Sequence, residues 1–145
     1  MGEESNFWRY INSIMQREYG IARWQAGRLE SGSTGRGIPD ICYSIHRKFG
    51  FIELKVVKQY PVRESTRVNV KLTNLQKLWI KSRGELSGNC FVMVKILLEK
   101  EYFIFNYTNS QNLGQLTRKE MYNMAEKTWK TKINPNELYY ILSLG

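Results

Sequence analysis

The sequence predicts an α/β fold, a small mixed β-sheet flanked by helices, built as a single domain over 1–145. Three observations predict it. Helix-period segments alternate with paired strand-like runs in the order helix, hairpin, strand or loop, helix, hairpin, helix, which suits helices packed on the faces of one sheet. Two helical segments open on capping-box signals, Thr73 with Gln76 and Thr117 with Glu120. The 145 residues are 42% hydrophobic, with no internal repeat, low-complexity tract or interdomain linker, so the chain can bury one core unaided.

The first helix is expected over Asn6–Tyr19, where Phe7, Ile11, Ile14 and Met15 fall on one stripe, Ser5 is placed to cap and Gly20 to stop it. A short apolar segment, "IARWQAGRL", leads into "ESGSTGRG", whose small and flexible residues read as a loop. Ile38–Ile45 and Phe51–Val57 then form a hairpin about "HRKFG", with Gly50 supplying the freedom to turn. The polar "PVRESTRVNVK" is a loop with a short edge strand at Val68–Val70. The helix opened by Thr73 should exit at Gly84 and bury Leu75, Leu78 and Trp79. Cys90–Leu98 and Glu101–Asn106 make a second hairpin around "LEKE", a helix covers about Arg118–Lys130, and the tail begun at Asn134-Pro135 reads as a short helix.

Composition narrows the function. Lys and Arg number 22 against 13 Asp and Glu, a formal net charge of +9, which favours a polyanionic partner, with nucleic acid ahead of an anionic membrane. No apolar run approaches the roughly 20 residues that span a bilayer, and "MGEESNFWRY" lacks the layout of a secretory signal. The expectation is a soluble cytoplasmic protein. Cys42 and Cys90 suit reduced, buried thiols. With His46 as the lone histidine, zinc fingers, HNH sites and Ser-His-Asp catalysis lack parts. Chemistry must run on carboxylates, lysine and a bound cation.

Those groups concentrate in "GIPDICYSIHRKFGFIELK", Gly37 to Lys55. Strand alternation sends Phe51, Glu53 and Lys55 to one face and Ile52, Leu54 and Val56 to the other. Folding the hairpin brings Asp40 beside Glu53 and Lys55. Two adjacent carboxylates repel unless a proton or cation lies between them, and such oxygen-rich sites suit Mg²⁺, with Mn²⁺ as substitute. The lysine can donate to a phosphate or orient a water.

Pro39-Asp40 and Glu53-Leu54-Lys55, with 12 residues between the acids, resemble the motif of the PD-(D/E)XK nuclease superfamily. The glycine-rich loop before the motif and the "LTNLQKLWI" helix after it are similar to the virus-type replication-repair nuclease (VRR-NUC) branch and, more distantly, to archaeal-type Holliday junction resolvases. The resemblance implies a restriction-endonuclease-like core, a Mg²⁺-dependent deoxyribonuclease and a DNA partner. It implies catalytic roles for Asp40, Glu53, Lys55 and Gln76, and a metal set of Asp40, Glu53, Leu54 and Glu4. Glu4 stands first among the helix-end acids Glu3, Glu4 and Glu18 and the following Glu30.

DNA contacts are expected from Ser31, Ser33, Thr34 and Arg36 in the glycine-rich loop and from Lys58, Arg63, Arg67 and Lys71 beyond the motif. His46 reads as an exposed turn residue, and the tryptophans as core or interface anchors, with Trp24 a candidate stacking platform. The function expected is a metal-dependent DNA endonuclease, selective for junctions or branched DNA, in phage-type DNA processing. The alternatives are a site-specific homing or restriction-type endonuclease, a non-catalytic nucleic-acid-binding module, and an interaction protein with a charged hairpin. Symmetric cutting of two strands needs two sites, so a homodimer or higher homo-oligomer is expected.

Overall fold

The structure, a computed structural model, describes residues 2–29 and 37–144. Six strands form one mixed sheet in the order β1-β2-β3-β4-β5-β6: β1 Gln25–Arg28, β2 Ile41–Ile45, β3 Lys48–Val57, β4 Cys90–Ile96, β5 Glu101–Asn106 and β6 Lys127–Lys130. All neighbours pair antiparallel except β3 and β4, which run parallel because helix α2 (Asn74–Ser87) makes the crossover between them. Helices α1 (Glu3–Tyr19) and α4 (Pro135–Leu142) pack on one face. Helix α2, the short α3 (Arg118–Met124) and the coil over residues 58–72 cover the other. With both faces covered, β4 and the middle of β3, Gly50–Leu54, are buried, which is why they read as near-continuous apolar runs. No helix among the described residues is long and apolar enough to cross a membrane.

The expected α/β class, with a mixed sheet between helices, is the architecture found. Several boundaries differ, each for a physical reason. Helix α1 starts at Glu3, with Gly2 as its cap and Ser5 inside the first turn, because Phe7, Ile11 and Met15 at four-residue spacing set the buried stripe and the turn before it stays helical. "IARWQAGRL" contains an edge strand, β1, half buried against β2, too short to show a period of its own. The third helix stops at Met124, and Lys127–Lys130 instead adds β6 to the sheet, where Trp129 is buried opposite Tyr102. Val68 and Val70 are buried in coil rather than in a strand; a single bridge between Arg67 and Thr117 holds that segment.

The hairpin turn is the two-residue His46–Arg47, with Arg47 at φ 59°, and not Gly50. Gly50 lies inside β3 opposite Tyr43. A Cβ there would run into the Tyr43 ring and sit 2.6 Å from the Asn89 carbonyl oxygen, so the glycine serves close packing rather than turning. Gly50→Ala should cost about 1–3 kcal/mol in urea unfolding, the usual range for overpacking a rigid site. An unchanged midpoint would show that Tyr43 can move aside.

Helix α2 runs past Gly84 to Ser87, where Gly88 at φ 75° ends it. Gly84 is a packing residue too, pressed against the Tyr107 ring. The helix buries Ile80 and Gly84, not the expected stripe: Leu75 and Leu78 face solvent and Trp79 is only half buried. The capping box that Thr73 and Gln76 foretold is present in both directions.

Candidate active site

Strand β2 ends where Ile41 pairs with Ile52, so the second half of β3 continues past it with no strand partner on that edge among the described residues. Asp40 occupies the gap. Its main-chain carbonyl accepts from Leu29 N–H at 2.7 Å, and its Oδ2 accepts from Leu54 N–H at 3.1 Å, which fixes the carboxylate against the β3 edge. A strand residue's N–H and C=O point to the same edge, so the Leu54 carbonyl opens toward the same side as Asp40.

Glu53 sits one residue earlier on β3, on the α2 face, and is only 2% exposed. Its Oε2 accepts from Gln76 Nε2 at 3.1 Å and lies 3.4 Å from Lys55 Nζ. Its Oε1 is buried and has no hydrogen-bond partner among the described residues. Burial, reinforced by the Asp40 carboxylate beside it and only partly offset by Lys55, pushes the Glu53 carboxyl up to about 8. With no cation beside it, the Glu53 carboxyl therefore favours its neutral form near neutral pH.

Gln76 uses both ends of its amide. Its Oε1 accepts from Thr73 N–H at 3.0 Å, closing the capping box, and its Nε2 donates to Glu53. The start of α2 thereby positions the catalytic candidate, and the capping and orienting roles coexist in one side chain.

Of the four acids considered for a third ligand, Glu4 is the one that senses Asp40. Its carboxyl is raised by burial and then by the charge of Asp40, with Lys55 and Arg28 pulling it down. Glu3 is exposed and accepts from Asn6, Glu18 is exposed in the last turn of α1, and Glu30 lies outside the described residues. Among the described residues no group of three or more His, Cys, Asp and Glu side chains is gathered to hold a metal ion. Glu4 stands within electrostatic reach of Asp40 without completing a ligand set.

No protein-family model matches the chain, and no curated protein matches it. Eleven solved chains match by structure. One is Hjc of Archaeoglobus fulgidus, a Holliday junction resolvase from an archaeal hyperthermophile: 18% identity, 70% of this chain and 78% of that chain covered, TM-score 0.47. That likeness is one of coarse architecture, and no chemistry is carried over from it.

The expected DNA-contacting residues are less concentrated than the motif. Ser31, Ser33, Thr34 and Arg36 lie outside the described residues. Lys58 lines a cleft of about 490 Å³ with Glu4, Arg28 and Val56, at the open edge of β3. Lys71 lines a different hollow, with Thr73 and Lys77. Arg63 and Arg67 are exposed on the covering coil. Arg28, whose guanidinium donates to Ser5 Oγ beside the cleft, was missed because the strand carrying it was not recognised. Trp24 is no stacking platform: it is fully buried, with Nε1 donating to Asn12 Oδ1 at 2.9 Å. His46 is exposed in its turn.

Proposed function

We propose that the protein is a metal-dependent DNA endonuclease that hydrolyses phosphodiester bonds at Asp40, Glu53 and Lys55. The observation that carries the reading is the Glu53 carboxylate, buried at the centre of a sheet with one oxygen unpartnered and a second carboxylate beside it. A buried carboxylate retained for stability has its oxygens satisfied; one left unsatisfied beside a like charge is suited to a cation.

The residues fit a divalent ion such as Mg²⁺, with Mn²⁺ as substitute. Asp40, the free Oε1 of Glu53 and the Leu54 carbonyl would hold it, all oxygen donors as a hard cation requires, with Glu4 as a further acid nearby. When bound, the ion supplies a water of lowered pKa and offsets charge on the phosphate. The chain's own residues do the rest. Lys55 donates to a non-bridging phosphate oxygen or orients the attacking water, and Gln76 keeps Glu53 from rotating away. The net charge of +9 supplies salt-sensitive attraction to the DNA backbone.

Selectivity for junctions or other branched DNA, and a role in phage-type DNA processing, rest on the resemblance of the motif and its surroundings to resolvases and the VRR-NUC branch. They form the finer part of the proposal.

The deciding experiment offers labelled four-way junction, flap, linear duplex and single strand to wild type and Glu53→Ala, with Mg²⁺, Mn²⁺ or EDTA. Cleavage by wild type alone, only with metal and strongest on branched DNA, is expected. Equal cleavage by Glu53→Ala, or cleavage in EDTA, overturns the mechanism. Discrete fragments from a long duplex would point to a site-specific endonuclease, and binding without cleavage to a nucleic-acid-binding module.

A further inference from the structure

We propose that the hollow beside the first turn of α2 is a seat for a second, uncut phosphate of the DNA backbone, with Lys77 as the cation that positions it. The identity of the strand comes from the DNA-binding part of the nuclease reading; the seat does not depend on cleavage. The hollow, about 350 Å³, lies between the coil before α2, the first turn of that helix and the turn at residues 113–115. Its charged lining residues are both lysines, Lys71 and Lys77, and Asn69, Thr73 and Gln115 add neutral polar groups.

Like charges gathered in one hollow repel unless an anion lies between them, the counterpart of the paired acids at β3. Elsewhere the chain pairs such cations: Lys55, Arg118, Lys127 and Lys130 each lie within 3.7 Å of a carboxylate oxygen. Neither Lys71 nor Lys77 forms an ion pair among the described residues. Lys71 is exposed and Lys77 half-buried, so packing has already removed part of the freedom that Lys77 would lose on holding a ligand. No aromatic side chain lines the hollow to stack a base, which favours a backbone phosphate over a nucleotide held by its ring.

The walls stand in place without a ligand. Val68 and Val70 are buried on either side of Asn69, and Leu113 is buried under the facing turn. Val68 N–H donates to the Leu116 carbonyl at 2.8 Å, and Gln111 Nε2 donates to the Lys77 carbonyl at 3.0 Å, so coil, turn and helix are tied together. Gly114, at φ 92°, brings the turn so close that a Cβ there would sit 3.0 Å from the Val70 carbonyl oxygen. A hollow built in advance costs little ordering when an anion enters.

Its relation to the candidate active site follows from α2. Gln76 donates to Glu53 and closes the cap on Thr73, and Lys77 is the next residue. One residue turns a helix by about 100°, so a single turn sends one side chain to the carboxylate and the next to the hollow. The cleft with Arg28 and Lys58 lies at the open edge of β3 beside the start of α1, so cations flank the paired acids on two sides.

Neutralising single phosphates tests the seat. Phosphates of a labelled DNA are replaced one at a time by uncharged methylphosphonate, and affinity is measured in EDTA, where cleavage plays no part. Wild type is expected to lose on the order of 10-fold at the linkage the seat holds. Lys77→Gln should be indifferent to that linkage and otherwise keep the wild-type profile, and Lys77→Arg should stay sensitive. The slope of log affinity against log salt should shrink by about 1 for Lys77→Gln and about 2 for Lys71→Gln/Lys77→Gln. Arg17→Gln removes an exposed cation in the last turn of α1 and should leave the linkage profile unchanged. If Lys77→Gln melts lower than wild type, Lys71→Gln carries the same comparison, because that side chain is exposed. A linkage profile shared by wild type and the lysine variants overturns the seat, as does an equal effect of Arg17→Gln. A wild type that binds no DNA overturns both the seat and the nuclease reading. Altered linkage profiles without any cleavage in Mg²⁺ support the seat and overturn the nuclease reading alone.

Discussion

Glu53→Gln is expected to lower DNA cleavage on the order of 10³-fold or more, because several kcal/mol of transition-state stabilisation go with the cation it helps to hold. The same change should make the metal-free protein more stable at alkaline pH. The folded chain keeps a proton on Glu53 up to about pH 8, whereas an ordinary carboxyl gives it up near 4.5. Between those values folding takes up a proton, so stability is full below the window and falls as pH rises through it. A shift from 4.5 to about 8 corresponds to at most about 5 kcal/mol, which the neutral glutamine would not lose. Melting curves from pH 5 to 9 in EDTA should slope downward for wild type and flatten for Glu53→Gln. Mg²⁺ should then raise the wild-type melting temperature, more at pH 8.5 than at 6.5 because ligation needs the carboxylate, and leave the variant unmoved. A variant that melts lower than wild type at every pH would mean that Glu53 is a structural acid.

Glu101→Ala is expected to have the largest effect on stability, about 3–5 kcal/mol, because it leaves the Tyr60 and Tyr122 phenol donors without their acceptor and a buried cluster without its negative charge. Glu101 is as buried as Glu53, at 3% exposure, yet its surroundings are the reverse. Tyr60 and Tyr122 each donate a phenol to its Oε1 at 2.5 Å, and Arg118 and Lys130 approach its Oε2 at 3.7 Å. Burial and the bond to Glu101 hold the Tyr60 phenol far above its ordinary range. Arg118 lies over the Tyr60 ring at 3.9 Å, so one carboxylate ties the coil after β3 to β5, α3 and β6. Urea unfolding measures the cost, and cleavage per folded molecule should change little. A loss under about 1 kcal/mol would show that the phenols and Arg118 find water instead.

Together the two glutamates show what makes a buried charge informative. Glu53 lies inside an apolar strand and Glu101 opens one, and both lie on the α2 face of the sheet. Every oxygen of Glu101 has a partner, so its burial is a matter of architecture. Glu53 has an oxygen without a hydrogen-bond partner among the described residues and a like charge beside it, the two features that the proposed cation would compensate. In the sequence the two differ only by their neighbours, and the PD and ELK letters singled out Glu53 where nothing singled out Glu101.

The local signals of this chain were legible because each is complete within a few residues. Alternation along "FIELK" put Glu53 and Lys55 on one face, the offsets from Thr73 to Gln76 and Thr117 to Glu120 named two capping boxes, and the hairpin brought Asp40 alongside. Only the tertiary structure decided which side of α2 is inside, because apolar residues line both sides and the choice depends on Ile80 and Gly84 meeting β4 and Tyr107 across the chain. It alone showed that Gly50 is small for the sake of Tyr43, that β1 and β6 complete the sheet, and that Glu4 reaches the Asp40 edge. The physical reason is the same in each case: propensity and caps are encoded locally, whereas burial is decided by distant partners that no window of sequence contains.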